Sequence, residues 1–215
     1  MENTKTIQIH TFSLGTFQTN CFVLEAADKS CWIVDAGFEP NALIACVQEN
    51  GLVPEKLILT HAHHDHIEGI HKIREAFPNI PIYVHESEKD FLTDTTLNLS
   101  AALGMPAVAP EADHFVTHGD TLSLAGMTFE IRHTPGHSPG GICLYQPENE
   151  FVISGDTLFA NSIGRYDFPT SDGQALFNSI KTQLFTLPDN TTIYPGHGPS
   201  TTIGHEKATN PFLQD

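Results

Sequence analysis

The stretch Thr60-His61-Ala62-His63-His64-Asp65-His66 places four imidazoles and a carboxylate within six residues. These are the groups that a borderline divalent ion such as zinc accepts. The run just before it, Lys56-Leu57-Ile58-Leu59-Thr60, is short, apolar and of strand character, so the ligand-type residues begin where a strand ends. A helix-borne metal pair would be spaced four apart, as in His-Glu-x-x-His. His61 and His63 are two apart and are followed by Asp65-His66, a spacing that suits a loop presenting alternate side chains to two centres.

Thirteen histidines in 215 residues would allow some clustering by chance. The rest of the chain argues otherwise. His137 lies in Thr134-Pro135-Gly136-His137-Ser138-Pro139-Gly140-Gly141, where Pro and Gly on both sides make a stiff loop able to hold a ligand. Pro195-Gly196-His197-Gly198-Pro199 repeats that arrangement. Gly155-Asp156-Thr157 follows another apolar run, and a carboxylate there either caps a loop or bridges two metals. Asp35, before Ala36-Gly37, either caps its strand or orients a metal-bound histidine through that ring's second nitrogen. His85, His114 and His118 have no ligand-like spacing and read as packing or surface residues.

These positions need a sheet to hold them. Alternation predicts strands at Ile7–Phe12, Asn20–Leu24 and Cys31–Val34, then a helix over Pro40–Asn50 closed by Gly51. After the ligand turn, Ile67, Ile70, Ile73 and Phe77 predict a second helix stopped by Pro78, and Ile80–Val84 another strand. Residues 86–92 read as weakly helical and 101–110 as an irregular excursion, either a lid over the site or a cover for the sheet. A hairpin turning at Ala125-Gly126 joins Thr121–Leu124 to Met127–His133 and delivers His137. Strands Gly141–Tyr145 and Phe151–Ser154, an amphipathic helix over Gln174–Leu187 and a strand Thr192–Tyr194 complete the pattern. Asp35, His61 to His66, His137, Asp156 and His197 thus sit at five strand ends.

Composition sets the bounds. The length suits one domain spanning 1–215, and 40% apolar with 17% charged residues suits a globular chain. No apolar stretch approaches the roughly 18 residues of a membrane span, and the N-terminal residues lack the apolar region of a signal peptide. A cytoplasmic enzyme with no membrane partner is expected. A formal charge of −16 with only 10 Lys and Arg argues against nucleic acid. Cys21, Cys31, Cys46 and Cys143 form no Cys-x-x-Cys pair and read as small core residues in a reducing compartment.

Taken together, the residues resemble the metallo-β-lactamase superfamily and, within it, the glyoxalase II-like hydrolases. Asp35, the Thr60–His66 motif, His137, Asp156 and His197 occur in that family's order, and Ser154 to Phe159, Gly164-Arg165 and residues 201–212 look like a single-domain bacterial branch. The resemblance implies an α/β fold, a four-layer αβ/βα sandwich of two mixed sheets with outer helices. It also implies that His61, His63 and His137 hold one metal, Asp65, His66 and His197 the other, and Asp156 bridges them, with Asp35 in a supporting role. Where glyoxalase II enzymes carry Lys, Phe and Tyr, this chain has Arg165, Tyr166 and Asp167, which leaves Arg165 as the residue able to meet a substrate carboxylate.

The expected chemistry is hydrolysis of a thioester, such as an acyl-glutathione, by hydroxide bridging two divalent ions, with Asp65 holding its orientation. Zinc is the first choice, with iron and manganese as alternatives on the same donors. A thiol leaving group with a pKa near about 8.5 departs without a dedicated general acid. Amide cleavage needs a proton on nitrogen, and no donor stands out, which ranks β-lactams lower. Lactones and other esters remain alternatives. Persulfide dioxygenases share the fold and the Gly-Arg-x-Asp-Phe element seen at Gly164 to Phe168, but use one iron, and a metal-binding module without catalysis is a further alternative.

Overall fold

The computed structural model describes residues 6–214. The first sheet has the order β1-β2-β3-β4-β5-β6, from Ile7–Leu14, Thr19–Ala26, Ser30–Val34, Val53–Ile58, Ile82–His85 and His114–Val116. The first three strands form an antiparallel meander and the last three add in parallel. In the second sheet β7 (Thr121–Leu124), β8 (Met127–His133), β9 (Ile142–Gln146) and β10 (Phe151–Gly155) run antiparallel. A two-strand ribbon, β11 (Leu158–Phe159) with β12 (Ser162–Ile163), follows. Strand β13 (Thr192–Pro195) then pairs in parallel with β10, and β14 (Thr201–Thr202) closes the edge. Both sheets are therefore mixed, as expected.

Period-two patterning explains the layering, because most strands are apolar on both faces. In β2, Phe22 and Leu24 point between the sheets to meet Phe129, Ile131, Leu144 and Phe151. Their neighbours Cys21 and Val23 face outward beneath helix α1 (Asn41–Glu49), where Leu43 and Val47 are fully buried. On the other side Cys143, Val152 and Ile193 lie under Leu176, Ile180, Leu184 and Ile203. These three apolar layers separate four layers of secondary structure. All four cysteines are free, and burial pushes the Cys31 thiol up to about 12 and the Cys143 thiol up to about 11. No helix among the described residues is long and apolar enough to cross a membrane.

Several elements depart from the sequence-based expectation. The ligand turn is partly helical: α2 (His64–Ile67) is a single turn that carries Asp65 and His66, whereas the spacing suggested a loop. The helix expected from Ile67 begins only at α3 (Ile70–Ala76), because Gly69 N–H donates to Ala36 O and draws the chain away from a continuous helix. The helix expected over Gln174–Leu187 is α4 (Gly173–Ser179) followed by a π-helical turn, Ile180–Leu184, in which Phe185 N–H reaches Ile180 O. Residues 86–92 hold only a 3₁₀ turn, Glu86–Glu88. Strand β6, the β11–β12 ribbon, β14 and helix α5 (Ile203–Thr209) had no counterpart in the periodicity. All but α5 are three residues or shorter, too brief for a repeat to register.

Candidate metal centre

The loops following β3, β4, β8, β10 and β13 converge. They bring Asp35, His61 to His66, His137, Asp156 and His197 to one place, as the strand-end argument requires. His61, His63 and His137 form one group of donor atoms and Asp65, His66 and His197 a second, each within 4.8 Å, and His61, His66 and Asp156 form a third that joins them. His63 Nδ1 lies 2.9 Å from His137 Nε2, and His137 Nε2 lies 3.5 Å from Asp156 Oδ2. His197 Nε2 is 3.3 Å from Asp65 Oδ2 and 3.4 Å from Asp156 Oδ2. His66 Nε2 is 3.5 Å from both Asp65 Oδ2 and Asp156 Oδ1. Tetrahedral bonds of about 2.0–2.1 Å place neighbouring donor atoms about 3.3 Å apart, so these separations are those of a coordination shell.

The unsatisfied atoms point the same way. His61 Nε2, His66 Nε2 and Asp156 Oδ1 are buried without a hydrogen-bond partner, at a cost of about 1–3 kcal/mol each unless a ligand meets them. The opposite ring nitrogens are occupied. His66 Nδ1 is 2.9 Å from Asp35 Oδ2, His137 Nδ1 2.8 Å from Arg165 O, and His197 Nδ1 3.0 Å from Phe17 O. Each of these contacts places the proton on Nδ1 and turns the Nε2 lone pair inward. The residues fit a pair of divalent ions.

Charge is divided unevenly between the two groups. Burial, then the neighbouring imidazoles, holds His61 well below its ordinary value, and burial with His137 takes His63 to about 3. Burial also lowers His137. These three rings are neutral and ready to ligate. Burial would lower His66 as well, but the carboxylates of Asp65, Asp35 and Asp156 outweigh it and raise the ring to about 9. His197 is likewise raised to about 11, against its burial, by Asp156 and Asp65. Burial opposes ionisation of Asp65 and Asp156, yet His66 and His197 hold both below the usual carboxylate range.

The supporting residues explain how the loops are held. Asp35 adopts φ +61°, in the left-handed region that few side chains tolerate. Its carboxylate accepts from Thr60 N and Thr60 Oγ1, both at 2.8 Å, and contacts His66. Its place is therefore at the metal centre and not at a simple loop cap. Gly196 passes so close to Asp156 that a Cβ there would lie 2.1 Å from Oδ1, so only glycine fits between Pro195 and His197. Three residues carried no readable signal. Thr19 Oγ1 donates to Asp65 Oδ2 at 2.7 Å, and Asn20 donates to Pro195 O and Gly198 O, fastening the His197 loop to the first sheet. Glu88 is fully buried beside the first group. Of the remaining histidines, His85 is buried and stacked on His133 at 4.0 Å, and His114 stacks on Tyr83. His118 accepts from His133 N.

A pocket of about 450 Å³ opens onto the donor atoms, within the range of small-molecule sites. Phe17, Leu99, Leu103, Phe159 and Phe168 make it largely apolar. Residues 101–103 thus form pocket wall, while Ala109 N–H binds Leu92 O behind it. Arg165 is at the pocket, but its guanidinium is paired with Asp167 at 3.0 and 3.1 Å and lies over the Phe168 ring.

Comparison with known proteins identifies the family. The profile of the metallo-β-lactamase superfamily matches residues 14–197. The chain belongs to that superfamily. It is 40% identical over 201 residues to the probable metallo-hydrolase YqgX of Bacillus subtilis (strain 168), covering 93% of this chain and 94% of that one. It is 37% identical to the hydroxyacylglutathione hydrolase GloC of Haemophilus influenzae, covering 96% and 98%. Among solved structures, the BLEG-1 B3 metallo-β-lactamase superposes with a TM-score of 0.92 at 41% identity over 97% of this chain and all of that one. TTHA1623 in a di-iron-bound form superposes with a TM-score of 0.83 at 39% identity, covering 95% and 100%. The protein is a metallo-hydrolase of this superfamily.

Proposed function

We propose that this metallo-hydrolase is binuclear and cleaves a thioester of the acyl-glutathione type. The observation that carries the reading is the pair of complete donor groups, His61/His63/His137 and Asp65/His66/His197, with Asp156 Oδ2 facing both. Two divalent ions, when bound, supply Lewis acidity that acidifies a shared water and polarises the carbonyl it attacks. Asp156 holds the two groups in register. Thr19 Oγ1 donates to Asp65 Oδ2 and fixes the carboxylate beside His66 and His197, where it would both ligate and orient the attacking water. The apolar wall receives the acyl chain and excludes bulk water, and Arg165, released from Asp167, meets a carboxylate on the thiol carrier. Among the described residues lining the pocket, His64 is the histidine outside the donor groups, 3.7 Å from Glu68 and 3.8 Å from Asp65, and a thiol leaving group, which departs without a strong acid, suits this lining better than an amide.

The donors suit zinc first, and iron or manganese equally by type; the di-iron form of TTHA1623 keeps iron in view. A complete second group favours hydrolysis over a one-iron dioxygenase. A small-molecule substrate, with no nucleic acid, fits the charge of −16, and free buried thiols suit a reducing, cytoplasmic setting. The test is elemental analysis of protein purified without added metal, beside assays on thioesters, lactones and β-lactams with the same sample. About two ions per chain with thioester turnover supports the proposal. One iron per chain, no thioester turnover and oxygen uptake on a persulfide would replace it with the dioxygenase reading.

A further inference from the structure

Glu88 is fully buried at the end of the 3₁₀ turn that follows β5. Its carboxylate takes three donors from two different loops. Oε2 accepts from Ala62 N–H, the residue between His61 and His63. Oε1 accepts from Ser138 Oγ and from Gly140 N–H at 2.8 Å, on the loop that carries His137. A Cβ at Gly140 would lie 2.8 Å from Glu88 Cγ, so that loop is packed directly onto this side chain. No Lys, Arg or His among the described residues pairs with Glu88.

A buried carboxylate without a cation is costly and survives where several donors and a nearby positive charge offset it. The donors here, two backbone N–H groups and the Ser138 hydroxyl, belong to the two loops that present His61, His63 and His137. Asp65, His66 and His197 make no hydrogen bond to Glu88. They are held by Asp35, Thr19 and the Phe17 carbonyl. We infer that Glu88 is a positioning residue for one of the two metal ions, splicing the His61/His63 loop to the His137 loop. This inference rests on the metal-centre reading but needs no particular substrate.

Glu88→Gln tests it, because the shape is kept while one oxygen that now accepts becomes an NH₂ donor facing another donor. Metal-free wild-type and variant protein are titrated with Co²⁺, following the visible d–d bands and the bound stoichiometry. His63→Ala and His197→Ala identify which binding step belongs to which group. The expected result is a loss of about 10–100-fold in affinity at the step that His63→Ala removes. The step that His197→Ala removes should stay within about twofold. Equal loss at both steps, in parallel with a fall in the melting temperature of the metal-free protein, would reduce Glu88 to a fold element and overturn the inference. Unchanged binding at both steps would overturn it as well. Should Glu88→Gln fail to fold, Ser138→Ala removes one of the three donors and is expected to weaken the same step by a smaller factor, with no change at that step counting against the idea. Wild-type protein that takes up no cobalt would overturn the metal-centre reading itself, and this inference with it.

Discussion

Asp156 is the side chain on which both donor groups depend, since its Oδ2 faces His137 and His197 and its Oδ1 faces His66. Asp156→Ala is expected to abolish turnover and lower the bound metal below two ions per chain. Elemental analysis and a thioester assay on one sample check both, and a fully loaded, active variant would refute the bridging role. Asp35 acts one bond further out. It holds Thr60 and His66 at once, so Asp35→Ala should cost about 10–100-fold in affinity for the ion bound by His66. Competition against a chromophoric chelator reads that loss directly.

The pocket wall is a segment without regular structure, so its shape depends on local hydrogen bonds. Asn98 donates to Phe91 O at 2.9 Å and Ala107 O at 3.0 Å and accepts from Ser100 N, while its backbone carbonyl receives His64 N–H at the start of α2. Asn98→Ala keeps that backbone contact and removes the others. Stability should fall by about 2–3 kcal/mol for the buried groups left unpaired. KM should rise while metal content and kcat stay near wild type, because Leu99 and Leu103 move and the metal donors do not. Urea unfolding and steady-state kinetics separate these effects, and a drop in metal content would show that the wall and the centre are not independent.

In the whole molecule the two sheets carry the loops, and the centre in turn ties the sheets together: Asp35 and His61 to His66 come from one, His137, Asp156 and His197 from the other. Metal should therefore stabilise the fold. At about 100 times its dissociation constant an ion contributes about 2.7 kcal/mol, or a rise of about 5–10 °C in melting temperature for a chain of this size. Without metal, His66 at about 9 and His197 at about 11 are charged at neutral pH and paired with Asp65, Asp35 and Asp156. Both values lie above the roughly 6.5 of an unfolded histidine. Their stabilisation of the metal-free chain is complete below about pH 6.5 and drains away as pH rises through these two values. Metal needs the neutral rings, so its binding expels protons and tightens with rising pH. Melting curves in chelator should fall between pH 7 and pH 9 while calorimetric metal affinity rises; parallel trends would contradict the pairing.

The strand ends and the ligand-type residues were legible in the chain because each rests on a local pattern: period-two apolar runs, Pro and Gly brackets, and clustered imidazole and carboxylate; the two mixed sheets followed only from the resemblance to known hydrolases. Assigning donors to two ions needed a resemblance to known hydrolases, since spacing alone does not say which rings meet. Glu88, Thr19 and Asn20 were silent because their partners lie 26 to 178 positions away, and an isolated Glu, Thr or Asn has no pattern to read. The same holds for the direction of each ring. Which nitrogen faces inward is set by Asp35, Arg165 O and Phe17 O, and the split into neutral and charged histidines follows from which carboxylates folding brings beside them. A motif specifies the kind of atom available to a metal; long-range packing determines where each lone pair points and what charge surrounds it.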